Sequence, residues 1–197
     1  MTEDVQAGGN APQPEQDGSQ SPRWWAMSAT FNRSMQARER LTAMGLECFV
    51  PLRTAVTLAG NKKRKRLVPA VSNLIFVRST EARIQQAKDA LGYLQFLCNR
   101  ELGRARRITV SDEQMAHFMS LAGSADGQVR YLSPTLPELR RGDRVRIHGG
   151  PFDGVVGTFV KLKGARRRMV VVTIPTVISV ATLSFTPELL QKLPATD

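Results

Sequence analysis

Side chains able to do covalent or metal chemistry are few and scattered in this chain. Its 197 residues hold two histidines, His117 and His148, and two cysteines, Cys48 and Cys98. Neither pair has the spacing of a metal site, and no CxxC is present. Two distant histidines leave little from which to build a His-based nucleophilic triad. The Gly-rich run Gly149-Gly-Pro-Phe-Asp-Gly-Val-Val-Gly157 leads into a strand pattern. It lacks the Gly-Lys-Ser/Thr ending of a phosphate-binding loop. Asp112 and Glu113 fall in the first turn of a helical pattern, where acids favour the helix dipole. The sequence therefore predicts a protein that is not an enzyme and needs no metal or cofactor.

The abundant chemistry is cationic. Lys62, Lys63, Arg64, Lys65 and Arg66 follow one another in a polar stretch that reads as a loop. Long basic side chains on a loop can reach phosphates, although a solvated hairpin tip would have the same composition. Arg33 and Arg40 lie seven apart, which places them on one face of a predicted helix. The formal net charge is +11, yet residues 1–22 hold four acids (Glu3, Asp4, Glu15, Asp17) and none of the 28 Lys and Arg. A body that basic points to a polyanion partner, with a merely solubilising surface as the alternative.

The elements that must position these residues follow from the hydrophobic pattern. Residues 1–22 are Gly, Gln, Pro, Ser and acid, which predicts a disordered tail. Trp24 to Thr30 reads as a strand, Arg33 to Met44 as a helix ended by Gly45, and Glu47 to Leu52 as a second strand. After the basic loop come a strand over Val71–Arg78, a helix over Glu81–Leu91 and a strand over Leu94–Cys98. A third helix starts at the capping box of Ser111 and Gln114, with Met115, Phe118, Met119 and Ala122 as its apolar face. The β-α-β-β-α-β-α order predicts an α+β sandwich of split β-α-β type over residues 23–122. Gly123 to about residue 138 reads as a linker.

The last part, residues 139–193, reads as five short strands. They cover about Arg144–His148, Val155–Lys163, Arg167–Ile174 and Val177–Leu183, with a weak one near the C-terminus. Val145, Ile147, Val156, Val160, Val170 and Val172 are the expected core. Gly154 and Gly157 sit where a side chain would obstruct turn or bulge geometry. Phe152, after Gly149-Gly-Pro151, is a candidate surface anchor. Met169 to Pro187 spans nineteen residues without a charge. Its Pro175 and recurring Thr and Ser favour two strands around a turn rather than a membrane span. The N-terminus has no apolar signal region, and the two cysteines, in apolar stretches, are expected as buried free thiols in a reducing compartment. Both features predict a cytoplasmic protein.

The stretch Gly142-Asp-Arg-Val-Arg-Ile-His-Gly-Gly-Pro-Phe-Asp-Gly-Val-Val-Gly157 resembles a KOW motif, the opening of a small SH3-like barrel. It follows Trp24-Trp-Ala-Met27, Thr30-Phe-Asn-Arg33, Gly45-Leu-Glu-Cys-Phe-Val-Pro51, Lys65-Arg-Leu-Val-Pro-Ala-Val-Ser-Asn-Leu-Ile-Phe-Val77 and Ile108-Thr-Val-Ser-Asp-Glu-Gln-Met115. This ordered set resembles the NusG-type transcription elongation factors, with an NGN domain followed by a KOW domain. Within them it is most similar to the UpxY type, associated with antitermination in surface-polysaccharide operons. It departs from the pattern at Trp25, where Tyr is common, at Asn32, where Gly is usual, and in its long acidic tail.

The resemblance implies a monomer riding on the RNA polymerase clamp and reducing pausing and termination. The implied clamp contact is an apolar depression with Trp25, Phe31, Val71 and Phe76. Trp25 and Phe76 serve equally well as ordinary core residues. A second contact across the cleft is implied at Ser79 and Thr80. Specialised relatives read an exposed non-template DNA strand, and Arg33, Arg40 and Lys62 to Arg66 are the candidates here, with nascent RNA as the other polyanion. For the KOW part the implied partners are ribosomal protein S10 or termination factor Rho, with Phe152 as the anchor. Some relatives refold this part into a helical hairpin, whereas its Val, Ile and Thr content here favours a stable barrel. The rival reading is a ribosome-associated KOW RNA-binding protein.

Overall fold

The computed structural model describes residues 21–194 apart from 60–61, 102–103, 125–128, 136–138, 140–141, 165, 184, 186–187 and 189. The acidic tail expected over 1–22 lies outside the described residues as far as residue 20.

The first half is built on a five-stranded antiparallel sheet. Its strands are β1 (Arg23–Ala29), β2 (Glu47–Phe49), β5 (Leu74–Ser79), β6 (Leu94–Phe96) and β9 (Thr109–Val110). Their order is β2-β5-β1-β6, with β9 sharing the second edge of β1. β6 pairs Met27–Ala29 and β9 pairs Trp24 and Trp25. Three helices complete the layer: α1 (Ser34–Ala43), α2 (Glu81–Leu91) and α3 (Asp112–Ala122).

Strand alternation decides which helix covers which face. Trp25, Met27 and Ala29 on β1, with Ile75 and Val77 on β5, form one core with Ala37 and Leu41 of α1 and Ile84 and Ala87 of α2. Trp24, Ala26, Leu74 and Phe76 point the other way, into a second core with Met115, Phe118 and Leu121 of α3. Burying each such large side chain stabilises by about 1.5–3 kcal/mol, so this two-sided burial fixes the register of β1 and β5. The helix termini follow local signals. Thr80 Oγ1 accepts from Arg83 N–H and Gly92 closes α2 at φ +65°. Ser111 Oγ accepts from Gln114 N–H at the start of α3.

Two β ribbons leave this sheet at opposite edges. β3 (Leu52–Ala59) and β4 (Lys62–Pro69) form the first, just after β2. The loop expected over the basic run is therefore a strand. Thr54, Val56 and Leu58 alternate at period 2, but neither ribbon face meets a core, so the charges masked the pattern. The second ribbon is β7 (Cys98–Glu101) with β8 (Arg104–Arg107), inserted between β6 and β9. Ile108 N–H donates to Leu97 O at its base (2.8 Å).

The second half holds β10 (Arg130–Leu132), β11 (Asp143–Ile147), β12 (Val156–Val160), β13 (Met169–Ile174), β14 (Ile178–Thr182) and β15 (Leu190–Lys192). They form one antiparallel path, β10-β14-β13-β12-β11-β15. Among the described residues no pairing joins β10 to β15, so this β-rich region is not a closed barrel. Part of the stretch expected as a linker, Arg130–Leu132, is the strand that extends the β14 edge. The Met169–Pro187 segment does form two strands about a Pro175-Thr176 turn. No helix among the described residues is long and apolar enough to cross a membrane.

Gly157 lies where strands approach closely. A Cβ there would sit 2.7 Å from Val170 Cγ1 and 2.8 Å from the Val171 carbonyl oxygen. Gly154 has φ +78°, which an L side chain rarely adopts.

The halves share a core. Val145, Ile147, Val170, Val172 and Ile174 belong to the same apolar cluster as α3 and the Trp24/Phe76 face. Gln114 Nε2 donates to Thr173 O (2.8 Å). The Tyr131 hydroxyl lies 2.8 Å from Leu52 O and 3.2 Å from Ala122 O.

Candidate functional site

Phe31 and Val71 occupy neighbouring turns at one end of the β1–β5 pair. Phe31 is 82% exposed and Val71 36%. The turn after β1 is unusual in its backbone: Phe31 has φ +60° and Asn32 φ +58°. Two successive non-glycine residues in the left-handed region cost about 1–2 kcal/mol each. The turn persists because its neighbours clamp it. Asn73 Oδ1 accepts from Asn32 N–H (2.6 Å), and Ala29 N–H donates to Asn73 O (2.7 Å). Arg33 adds a lateral support, its guanidinium 4.0 Å from the Tyr93 ring centroid and 5.1 Å from that of Phe31. Its Nε donates to Thr30 O (3.2 Å). The sequence thus presents a large apolar ring to solvent and holds it there on a strained turn.

Three aromatic residues expected at partner surfaces are buried instead. Trp25 is 4% exposed, meets Phe96 edge-on at 5.5 Å, and donates its indole N–H to Ser79 O (2.9 Å). Phe76 is wholly buried against Phe118. Phe152 lies in a 3-10 turn over Gly150–Phe152, buried with Val145, Ile147 and Val155. In each case strand or turn geometry aims the ring at a core that gains more from it than water allows. None of the three offers an exposed anchor in this structure.

Ser79 and Thr80 lie at the far end of β5 from Val71. Ser79 is buried, and the Thr80 side chain caps α2. Five residue steps along β5 separate the two ends by about 17 Å, at about 3.4 Å per residue. The expected first and second contacts are therefore distinct places on the surface.

The expected basic group is divided. Arg33 is the residue before α1 rather than part of it, and its side chain is committed to Phe31 and Tyr93, whereas Arg40 is exposed in the last turn. The register of the first ribbon sorts its charges. Arg53, Lys62, Arg64 and Arg66 fall on one face with Ala55, Thr57 and Val68. Lys63 and Lys65 fall on the other with Val56, Leu58 and Leu67, all three exposed. One face is cationic, the other a mixed apolar and cationic stripe.

Sequence reasoning assigned no role to the second ribbon. Arg100, Arg104, Arg106 and Arg107 lie on it, within ten residues that include one acid, Glu101. The signal in the sequence is Arg104-Ala-Arg-Arg107, which the denser run at 62–66 outweighs.

Little acid–base chemistry is available. The Cys48 thiol is pushed up to about 12 by burial, aided by Glu47. The Tyr131 phenol is pushed up to about 12 by burial alone. Tyr131 lines a cleft of about 820 Å³ between the base of the first ribbon and the end of α3, with Phe49, Leu52 and Leu67. Asp112 is held below the usual carboxylate range by its hydrogen bond to Arg78 (2.9 Å), which ties β5 to α3. Among the described residues no group of three or more His, Cys, Asp or Glu could hold a metal ion.

The family model described as "Transcription termination factor nusG" matches residues 22–119. No curated protein matches the sequence. Among solved structures, the chain is similar to that reported under "Domain interaction in Thermotoga maritima NusG". Identity is 19%, the match covers 90% of this chain and 100% of that one, and the TM-score is 0.45. NusG-type proteins are non-catalytic, and this chain is not an enzyme. The matched segment contains every strand of the five-stranded sheet and nearly all of the three helices; over residues 22–119 the chain belongs to the NusG family.

Proposed function

We propose that this chain is a NusG-type transcription elongation and antitermination factor that docks on transcribing RNA polymerase through Phe31 and Val71. The observation that carries the reading is the Phe31 turn. A large ring 82% exposed, on a backbone clamped at positive φ, costs the fold more than its exposed contact with Arg33 returns. Such strain persists where a partner needs it, and exposed aromatic side chains are favoured anchors. Val71, on the adjoining turn, widens the same apolar spot. The contact falls on the polymerase clamp, and the Ser79/Thr80 end of β5 reaches a second surface across the cleft. Bridging the two disfavours clamp opening and so reduces pausing and termination.

In this reading the cationic face of the first ribbon, Arg53, Lys62, Arg64 and Arg66, contacts an exposed non-template DNA strand, with Arg40 in support. Backbone charge gives affinity there, while sequence choice needs base contacts. The resemblance to UpxY-type proteins favours service to surface-polysaccharide operons. The C-terminal half acts as a KOW-type module that recruits ribosomal protein S10 or Rho. In its six-strand path the Gly142–Gly157 stretch supplies β11, a Gly-Pro turn and the start of β12.

The test is binding of the full chain to reconstituted elongation complexes, beside a Phe31→Ala/Val71→Asp variant checked for folding by circular dichroism. Binding by the parent and a loss of about thirtyfold or more in the variant is expected, since an anchor of this kind contributes about 2 kcal/mol. Equal binding by both refutes the docking site. Binding to ribosomes but not to polymerase replaces the reading with the ribosomal one.

A further inference from the structure

We infer that the second ribbon, β7–β8, is a separate nucleic-acid contact, and that its partner is the sugar–phosphate backbone of duplex DNA lying in reach of both ribbon faces. The charge of the folded half is concentrated rather than spread. The first ribbon carries Arg53, Lys62, Lys63, Arg64, Lys65 and Arg66 with no acid, and the second carries four Arg against Glu101 alone. The two leave the five-stranded sheet at opposite edges, one after β2 and the other between β6 and β9. One partner surface on a single side of the sheet does not account for both.

The register of β7 with β8 sorts the charges of this ribbon between its two faces. Cys98 pairs with Arg107, Asn99 with Arg106, Arg100 with Ala105 and Glu101 with Arg104. Residues directly opposite share a face. Arg104 and Arg106 therefore lie on one face with Asn99, and Arg100 and Arg107 on the other. Arg107 is used internally: its guanidinium stands 4.1 Å from the Phe96 ring centroid and pairs with Glu81 of α2. That pairing fixes the base of the ribbon against β6 and α2. Arg100, Arg104 and Arg106 are exposed beyond it.

Cations on both faces of a projecting ribbon suit a groove with phosphates on both walls. Two strands lie about 4.8 Å apart, and the duplex major groove, about 12 Å wide, admits a two-stranded ribbon. A groove offers two lines of phosphates, whereas a lone strand of nucleic acid offers one. All four cations of β7–β8 are Arg, whose planar fork binds phosphate oxygens two at a time and is weakly hydrated. A crevice of about 250 Å³ beside Arg106 is lined also by Asn99, Pro175 and Thr176, so the base of that face adjoins the β13–β14 turn.

The proposal extends the nucleic-acid part of the reading above but does not depend on polymerase docking, so it is tested on naked DNA. Full-length protein is titrated into a fluorescent 20-base-pair duplex and a 20-nucleotide single strand over a series of salt concentrations. The variants are Arg100→Gln/Arg104→Gln/Arg106→Gln and the corresponding triple Lys substitution. For the Gln variant the slope of log affinity against log salt on duplex is expected to fall by about 2–3, at about 0.9 per lost phosphate contact. Single-strand binding stays unchanged, and the Lys variant keeps most of the slope. An unchanged duplex slope in the Gln variant overturns the proposal. A loss confined to the single strand overturns the duplex assignment. A Lys variant as weak as the Gln variant shows that charge is not the cause, which also overturns it. Failure of the Phe31 variant to bind polymerase would leave these outcomes untouched.

Discussion

Replacing Phe31 by glycine should move stability and docking in opposite directions. The ring is 82% exposed, so its removal forfeits little burial. Arg33 stands over it at 5.1 Å, an exposed cation–π contact of about 0.5–1 kcal/mol. Against that, glycine removes the left-handed penalty at φ +60°, about 1–2 kcal/mol. Greater freedom of glycine in the unfolded chain returns about 0.5–1 kcal/mol of that gain. The net effect on folding is close to zero, within about 1 kcal/mol either way, or about 2–4 °C in Tm per kcal/mol for a chain of this size. Docking is different: loss of the ring should weaken association with elongation complexes by about thirtyfold, the equivalent of about 2 kcal/mol. Urea titration followed by circular dichroism gives the first quantity, and fluorescence-detected binding to elongation complexes the second. A variant destabilised by more than about 2 kcal/mol would show that Phe31 holds the turn together, contrary to this account. A stable variant that docks as well as the parent would show that the exposed ring is idle.

Three further perturbations test the structure. Gly157→Ala places a methyl 2.8 Å from the Val171 carbonyl oxygen and should destabilise by about 1–3 kcal/mol, read as a shift of the urea midpoint. Tyr131→Phe leaves the Leu52 and Ala122 carbonyls without the hydroxyl and should cost about 1–3 kcal/mol, with Thr57→Ala on the open ribbon as a neutral control. Cys98 is exposed whereas Cys48 is pushed up to about 12. At pH 8 the Cys48 thiolate fraction is on the order of 10⁻⁴, so mass spectrometry should find Cys98 alkylated at least about a hundredfold faster. Raising the pH toward 12 should narrow that ratio, because the raised value keeps Cys48 protonated over the range between.

Parts of the fold were legible because a local signal set them. The helix read over Glu81–Leu91 has those bounds, since Thr80 caps its start and Gly92 turns its end. Ser111 caps the start of α3 as read, but the Gln114 side chain donates to Thr173 O, so the structure gives the Ser111 half of the expected capping box. Val145, Ile147, Val160, Val170 and Val172 are buried as the period-2 pattern required, while Val156 is only partly covered and Val155 takes the inner place.

What was not legible depends on partners far away in sequence. Trp25 and Phe76 sit on strands covered on both sides, where alternation names two faces but does not say that each has its own helix layer. The first ribbon escaped notice because strand patterns are found through a buried face, and this one has none. Arg130–Leu132 looked like linker until β14 offered it an edge. At the candidate site, the oddity of a large ring beside Asn32 could be read from the chain. The left-handed backbone that presents it could not, because its clamp, Asn73, comes from 41 residues away.

Single-round transcription across an intrinsic terminator, with purified multisubunit RNA polymerase, tests the central claim most directly. Full-length protein should raise read-through, Phe31→Gly should leave it at the level of polymerase alone, and both proteins should be folded by circular dichroism. No change in read-through or pausing on any template, including one from a surface-polysaccharide operon, would contradict the account.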